Sequence, residues 1–234
     1  MKFSTRIALR LFPSYVWIAV RKELFINKCT RQVRSAANKK KLERVRAMSY
    51  PNIQLGCGKR IFKDWVNVDI FRGAGVDLQL NFREPLPFDS NSISLIYSEH
   101  VLEHLFKDEA EALLKECHRV LKPAGRIRLG VPDAEIYFRK YIQGDRAYFS
   151  ALKHLGGASV PLDTPVDVIN QMFRMGGDHL FAWDFEALQL SFKKAGFEAV
   201  RREESGKSSL EMLCLDDPEH AFETLYIEAV KQQG

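Results

Sequence analysis

Asn52-Ile53-Gln54-Leu55-Gly56-Cys57-Gly58, followed closely by Val66-Asn67-Val68-Asp69-Ile70, is the stretch whose reading decides the fold. Two short apolar runs suit buried strands, a glycine turn separates them, and the second run ends in a carboxylate. Gly56 and Gly58 remove side chains where the backbone must turn tightly and approach a ligand. Asp69 stands where a carboxylate accepts hydrogen bonds from ribose hydroxyls. The outline is that of a site for a nucleoside-bearing cofactor. Only thirteen positions separate Gly56 from Asp69, whereas a dinucleotide-binding unit places its acidic residue about 20 positions on, after a full helix. Lys59, Arg60 and Ile61 follow where a third glycine would stand. Both departures argue against a nicotinamide-dinucleotide fold.

Outward from this stretch the elements alternate. Residues 75–80 read as a third short strand, and Asn81 opens a loop that carries Pro85-Leu86-Pro87-Phe88. Residues 93–97 are a compact apolar strand, with Ser98-Glu99-His100 just beyond its end. Residues 108–122 form the clearest helix: Ala110, Leu113, Leu114, Cys117, Val120 and Leu121 share one face, and Pro123-Ala124-Gly125 stops it. Residues 125–131 alternate as a fifth strand. An aromatic- and glycine-rich insertion over 134–182 precedes a helix over 184–195, a strand over 197–202 and a last strand over 224–230. Alternating strands and helices imply a mostly parallel sheet with helices on both faces. Ligands in such sheets gather at the carboxyl ends of the strands, so Gly56, Asp69, Asn81 and Ser98 are expected to converge.

The chain has 234 residues, 46% of them hydrophobic, which suits one good-sized domain plus an extra segment. Cys29, Cys57, Cys117 and Cys214 are far apart with no CxxC pair, so a reducing compartment fits and a disulfide framework does not. The formal net charge of +5 is unevenly held. Residues 1–50 carry 13 Lys and Arg against Glu23 and Glu43, a net of +11, and the remainder carries a net of −6. Without a basic face on the main domain, no nucleic-acid partner is expected. Within residues 5–25 the apolar run over 11–20 is about half the ~20 residues that a bilayer-spanning helix needs, and Pro13 interrupts it. No small-residue cleavage site follows. Two readings stay open for this basic segment: an amphipathic helix on an anionic membrane surface, or a helix packed on the main domain with a solvated basic face. Residues 31–46 read as a second, charged helix.

Taken in order, Ile53-Gln54-Leu55-Gly56-Cys57-Gly58, Trp65-Val66-Asn67-Val68-Asp69, Pro85-Leu86-Pro87-Phe88, Ser98-Glu99-His100-Val101-Leu102-Glu103-His104 and Glu116-Cys117-His118-Arg119-Val120-Leu121-Lys122-Pro123-Ala124-Gly125 resemble the class I S-adenosylmethionine-dependent methyltransferases. The bacterial branch often encoded among genes for surface polysaccharides is the nearest match. The resemblance implies an α/β, Rossmann-like, seven-stranded sheet whose last strand is antiparallel. Charge and pattern set apart a basic helical arm over 1–48, and the resemblance implies a methyltransferase domain over 49–234, with 134–182 as the acceptor-side insertion. It implies S-adenosylmethionine as cofactor, held by Gly56, Cys57 and Gly58 at its methionine part, by Asp69 and Ile70 at the ribose, and by Asn81 near the adenine. Ser98 and His100 flank the methionine end, and Gln54 stands where many relatives carry an acidic residue. The expected acceptor is a saccharide, glycolipid or other small molecule, O-methylated in the cytoplasm, with the arm peripheral at the inner membrane face. A non-catalytic cofactor-binding or scaffolding relative, docked through the arm, is the alternative.

Methyl transfer asks the protein to orient the acceptor and, for a hydroxyl, to help remove its proton. His179, presented by Gly176-Gly177-Asp178, is the first candidate base, with His100 and Asp133 as further catalytic candidates. His100-Val101-Leu102-Glu103-His104 also spells the H-x-x-E-H zinc signature, in which both histidines share a helix face and the glutamate acts as base. The sequence shows no third ligand near this pair, so no metal is expected.

Overall fold

In the computed structural model, which describes residues 14–152 and 161–232, the two apolar runs around the glycine turn are adjacent parallel strands. They are β1 (Asn52–Leu55) and β2 (Val66–Asp69), with Leu55 level with Val68. β3 (Leu78–Gln79), β4 (Ile93–Glu99), β5 (Leu121–Pro132), β6 (Ala199–Glu203) and β7 (Thr224–Val230) complete one sheet in the order β3-β2-β1-β4-β5-β7-β6. All pairings are parallel except those of β7, which runs antiparallel to both β5 and β6. The chain moves outward from β1 to β3 on one side and from β4 onward on the other. The crevice for ligands therefore opens at the carboxyl ends of β1 and β4.

The central strands alternate apolar with polar residues, and the apolar ones pack into one core with the covering helices. Ile53, Leu55, Val68, Ile96, Ile127 and Leu129 are buried with Leu113, Leu114, Leu188 and Phe192 from the covering helices. Those helices are α3 (Lys107–Val120) and α7 (Phe185–Lys194), preceded in the chain by α1 (Ser14–Val33) and α2 (Ala36–Arg46). Residues 1–13, with Pro13 and the first part of the amphipathic stretch, lie outside the described residues. Among the described residues, no helix is long and apolar enough to cross a membrane.

The arm helices differ from expectation. α1 runs through to Val33, and the break falls at Arg34-Ser35, where the Ser35 side chain accepts a hydrogen bond from the Asn38 N–H and caps α2. α2 packs on the domain, with Val45 in the main core. Asn38 completes the sheet edge: its side-chain Nδ2 donates to the Gln79 carbonyl at 2.8 Å and its Oδ1 accepts from the Gln79 N–H at 2.9 Å. The amide thus does for β3 what another strand would do. Asn38→Leu is expected to leave both buried Gln79 groups unpaired and to cost about 2–3 kcal/mol in chemical denaturation; an unchanged midpoint would show that water serves this edge equally well.

Two side chains on α3 hold the Pro85-Leu86-Pro87-Phe88 loop. Glu116 accepts from the Leu86 N–H at 2.8 Å, and Arg119 donates to the carbonyls of Leu86 and Phe88 at 2.8 and 2.9 Å. The helix ends at Val120 and the chain is already extended at Leu121, because Lys122 precedes Pro123 and is steered away from helical geometry.

A buried guanidinium ties the far side of the sheet together. Arg128 on β5 is 0% exposed. Its Nε donates to Asp216 at 2.7 Å and its Nη1 to Glu228 on β7 at 2.6 Å. The Lys207 and Glu204 carbonyls and the second Asp216 oxygen take the remaining protons.

The insertion builds its own small core. α4 (Ala134–Ile142), α5 (Arg146–Leu152) and α6 (Pro165–Arg174) bury Tyr137, Phe149, Leu152, Val168 and Met172 together. Residues 153–160 lie outside the described residues. The insertion returns to the sheet through Trp183, whose carbonyl accepts from the Ala134 N–H at 2.8 Å.

Candidate functional site

The register places Leu55 level with Val68 and Ser98, and Asp69 level with Gln79. Gly56, Asp69, Asn81 and His100 therefore lie at or just beyond the carboxyl ends of β1, β2, β3 and β4, while Ser98, expected among them, lies within β4. The Gly56 and Cys57 N–H groups both donate to the Val68 carbonyl, at 2.8 and 3.0 Å, which folds the turn back over β2. Gly56 has φ +72°, and a Cβ there would stand 2.1 Å from Val101 Cγ2. The turn is thus closed against the segment that follows β4. Gly58 has φ +51° and nothing within 4 Å of a built Cβ, so the turn leaves open space on that side.

Asp69 organises the turn. Its Oδ2 accepts from the Gly58 N–H at 2.8 Å and its Oδ1 from the Phe71 N–H at 2.9 Å. Each carboxylate oxygen keeps a further lone pair for a ligand hydroxyl. Cys57 turns its thiol into the protein, where burial, aided by Asp69, pushes it up to about 12. The Ile70 carbonyl accepts from the Gln79 side chain at 3.1 Å. Asn81 Nδ2 donates to Thr30 on α1 at 3.2 Å, and its Oδ1 accepts from the Arg83 N–H at 3.1 Å. The Ser98 hydroxyl donates to the Leu55 carbonyl at 3.1 Å between the strands. Gln54 is buried and its Oε1 has no protein donor.

The catalytic candidates separate in space. Asp133 is fully buried, caps α4 through the Glu135 N–H at 3.0 Å, and pairs with Arg202. Burial raises its pKa despite Arg202. His100 and His179 both come to the carboxyl end of β4, around Glu103. His100 has φ +55°, a left-handed conformation uncommon for a non-glycine residue, and its N–H donates to the Gly130 carbonyl at 2.9 Å. Its Nε2 lies 3.0 Å from the Thr224 hydroxyl and its Nδ1 lies 3.2 Å from Glu103 Oε1. His104 Nδ1 lies 3.1 Å from the Asp178 carbonyl, and His179 Nδ1 contacts the Met172 carbonyl. A carbonyl only accepts, so in both neutral rings Nδ1 carries the proton and Nε2 keeps the lone pair. The His104 and His179 ring centroids are 4.8 Å apart, edge to face.

Glu103 at the centre is 2% exposed, and neither carboxylate oxygen has an aligned hydrogen-bond donor. Burial works to raise its pKa, but His100, His104 and His179 together hold it below the usual carboxylate range. Burial lowers His100 while Glu103 raises it, and the net is upward. Burial pushes His179 down. The Glu103 carbonyl also accepts from the Leu180 N–H at 2.6 Å, which fixes the end of the insertion beside it.

The H-x-x-E-H stretch is therefore not one helix face. Only Leu102–His104 form a short 3-10 turn, and His100 lies outside it. The expectation that no third ligand stands near is also corrected. The turn at Met175–Gly177 brings His179 from the insertion to within 4.8 Å, donor atom to donor atom, of Glu103 and His104. A neighbouring network was not legible at all: Glu99 on β4 accepts from Arg60 and from the Tyr226 hydroxyl at 2.6 Å each, and from the Tyr97 hydroxyl at 2.9 Å. Arg60 is thus a structural tie.

Residues 53–129 match a family model described as a methyltransferase domain. The ubiquinone/menaquinone biosynthesis C-methyltransferase of Desulfotalea psychrophila is 27% identical over 124 residues, which cover 46% of this chain and 48% of that protein. The chain thus matches about half the length of that relative. Among solved structures, an S-adenosylmethionine-dependent methyltransferase of Thermotoga maritima is similar over 90% of this chain and 97% of its own, at 19% identity and a TM-score of 0.47. Phosphoethanolamine N-methyltransferase 2 of Haemonchus contortus, in complex with S-adenosyl-L-methionine, is similar over 84% of this chain and 52% of its own, at 14% identity and a TM-score of 0.47. The family match runs from β1 into β5 and takes in the glycine turn, Asp69 and Glu103, within a seven-stranded sheet with an antiparallel β7, so over residues 53–129 the chain is similar to the methyltransferase domain.

Proposed function

We propose that the protein methylates a hydroxyl of a saccharide, glycolipid or other small-molecule acceptor, with S-adenosylmethionine bound at the glycine turn. Three features support the cofactor's place. Asp69 is positioned with spare lone pairs for the two ribose hydroxyls. The open side of Gly58 admits the methionine part without a side chain in the way. The buried Gln54 Oε1, two residues before the turn, is an acceptor without a donor, which a ligand ammonium satisfies. Bound there, S-adenosylmethionine supplies an electrophilic methyl, its sulfur leaving as a neutral thioether as the acceptor oxygen takes the carbon.

The observation that carries the oxygen acceptor is the enclosed Glu103 carboxylate with His100, His104 and His179 around it, next to the turn at Val101. A hydroxyl must lose its proton as it is methylated, and imidazoles backed by a carboxylate are suited to accept it. His100, 3.2 Å from Glu103, is suited to take it, and Glu103 offsets the charge that follows. Asp133, tied to Arg202 and the α4 N-terminus, serves to hold the insertion.

Asp69→Asn replaces one accepting oxygen with an amide that meets either the Gly58 or the Phe71 N–H donor to donor. S-adenosylmethionine affinity, read by calorimetric titration, is expected to fall about 10- to 100-fold, in line with the ~1.5–3 kcal/mol of a hydrogen bond to a charged group. Affinity equal to wild type would reject the assignment. Labelled methyl transfer from S-adenosylmethionine into fractionated cell extract, with mass analysis of the product, tests the acceptor class; label found only on nitrogen or carbon would overturn it.

A further inference from the structure

We propose that Glu103, His104 and His179 form a binding site for one divalent transition cation, with open coordination positions that take the acceptor's hydroxyl oxygen. Each residue offers a donor atom, and the three atoms lie within 4.8 Å of one another. An ion at ~2.0–2.2 Å from each needs only small side-chain rotations to close that spread. The outer contacts are those of metal-ligating histidines, whose second ring nitrogen donates to a carbonyl and so fixes tautomer and orientation. His104 does this to Asp178 and His179 to Met172. The independent observation is Glu103, a carboxylate 2% exposed with no aligned donor on either oxygen. Such a group is costly inside a protein unless paired with a cation. Among the described residues, its ion-pair neighbour is His100 Nδ1 at 3.2 Å.

Two imidazoles and one carboxylate suit zinc, cobalt, iron or manganese in the divalent state. Three protein ligands leave positions for an incoming oxygen, as in catalytic rather than structural sites. A hydroxyl on the cation holds its proton less tightly. The proton then passes to His100, the imidazole left outside the ligand set, and the oxygen is methylated where it is held. This last step rests on the methyltransferase reading; cation binding stands without it. The second group of potential ligands, His100, His220 and Glu223, is satisfied internally: His220 Nδ1 pairs with Glu223 at 2.7 Å, the other Glu223 oxygen accepts from Tyr137, and His100 Nε2 meets Thr224.

The test is equilibrium dialysis of the chelator-stripped full chain against Co2+, with the visible spectrum recorded. One Co2+ per chain is expected. Glu103→Gln and His179→Gln are each expected to weaken it at least tenfold, and His220→Gln to leave it unchanged. No Co2+ bound by wild type, equal binding by both ligand variants, or loss in His220→Gln would overturn the site. S-adenosylmethionine titrated into the same samples is expected to bind with wild-type affinity, and two ligand variants keep the result decisive if one does not fold. Failure of the methyltransferase reading shows separately, as no S-adenosylmethionine binding even by wild type. In the labelled-transfer assay, stripping is expected to stop O-methylation and Co2+ to restore it; transfer that persists after stripping would overturn the cation's part in holding the acceptor.

Discussion

Arg128→Met is expected to lower the free energy of unfolding by about 3–5 kcal/mol, the cost of leaving a buried charge uncompensated. All five guanidinium N–H groups have acceptors: Asp216 twice, Glu228, and the carbonyls of Lys207 and Glu204. The group also lies 5.0 Å over the Tyr226 ring. Methionine keeps the stem's packing but strands two carboxylates close together in a low-dielectric setting. Asp216 keeps a donor in the Gly206 N–H at 2.7 Å, so the loss falls hardest on Glu228. The triple variant Arg128→Met, Asp216→Asn, Glu228→Gln is expected to recover part of the loss, because it removes the charges with their partner. Chemical denaturation measures both. A loss below about 1 kcal/mol in the single variant would mean that water reaches these carboxylates.

Gly56→Ala has the second large effect, on both stability and cofactor affinity. The residue sits at φ +72°, where a Cβ costs about 1–2 kcal/mol. That Cβ also meets Val101 Cγ2 at 2.1 Å, far inside contact distance. Forcing the two apart adds about 1–3 kcal/mol and moves either the turn or the segment leading to Glu103. S-adenosylmethionine binding is expected to fall by at least about 100-fold, the equivalent of ~2.7 kcal/mol. Val101→Ala in the same chain is expected to relieve the clash but not the left-handed backbone, leaving a deficit of about 1–2 kcal/mol. Gly56→Ala that binds the cofactor as wild type does would refute the place given to the turn.

Much of the sheet was legible because it depends on near neighbours in sequence. β1 and β2 fall on the runs read as buried strands, and β7 spans Thr224–Val230, the residues expected. The helix over 184–195 is found as Phe185–Lys194, with Asp184 accepting from the Ala187 N–H at 2.8 Å as its cap. Misreadings occurred where a partner distant in sequence decides. β3 shrinks to Leu78–Gln79, an edge pair that Asn38 completes from another helix. Ser35 caps α2 inside the stretch 31–46 that charge alone reads as one helix. The arm is also less separable than its charge suggests, since Val45 and Asn38 belong to the domain's core and edge. Deleting residues 1–48 would remove both, so it cannot isolate a membrane role.

The sequence by itself determined the strand, the glycine turn, the short step to Asp69 and the helix that follows β4. Each is written in residues a few positions apart, through periodicity, backbone freedom at Gly56 and the stop imposed by Pro123. Tertiary structure alone decided that His179 would meet Glu103 and His104, that His100 would stand outside their turn, and that Arg128 would be wholly buried between Asp216 and Glu228. These are contacts between side chains far apart along the chain. They exist because the insertion folds back over the carboxyl ends of the strands and because β7 returns antiparallel beside β5, and neither packing leaves a local pattern to read.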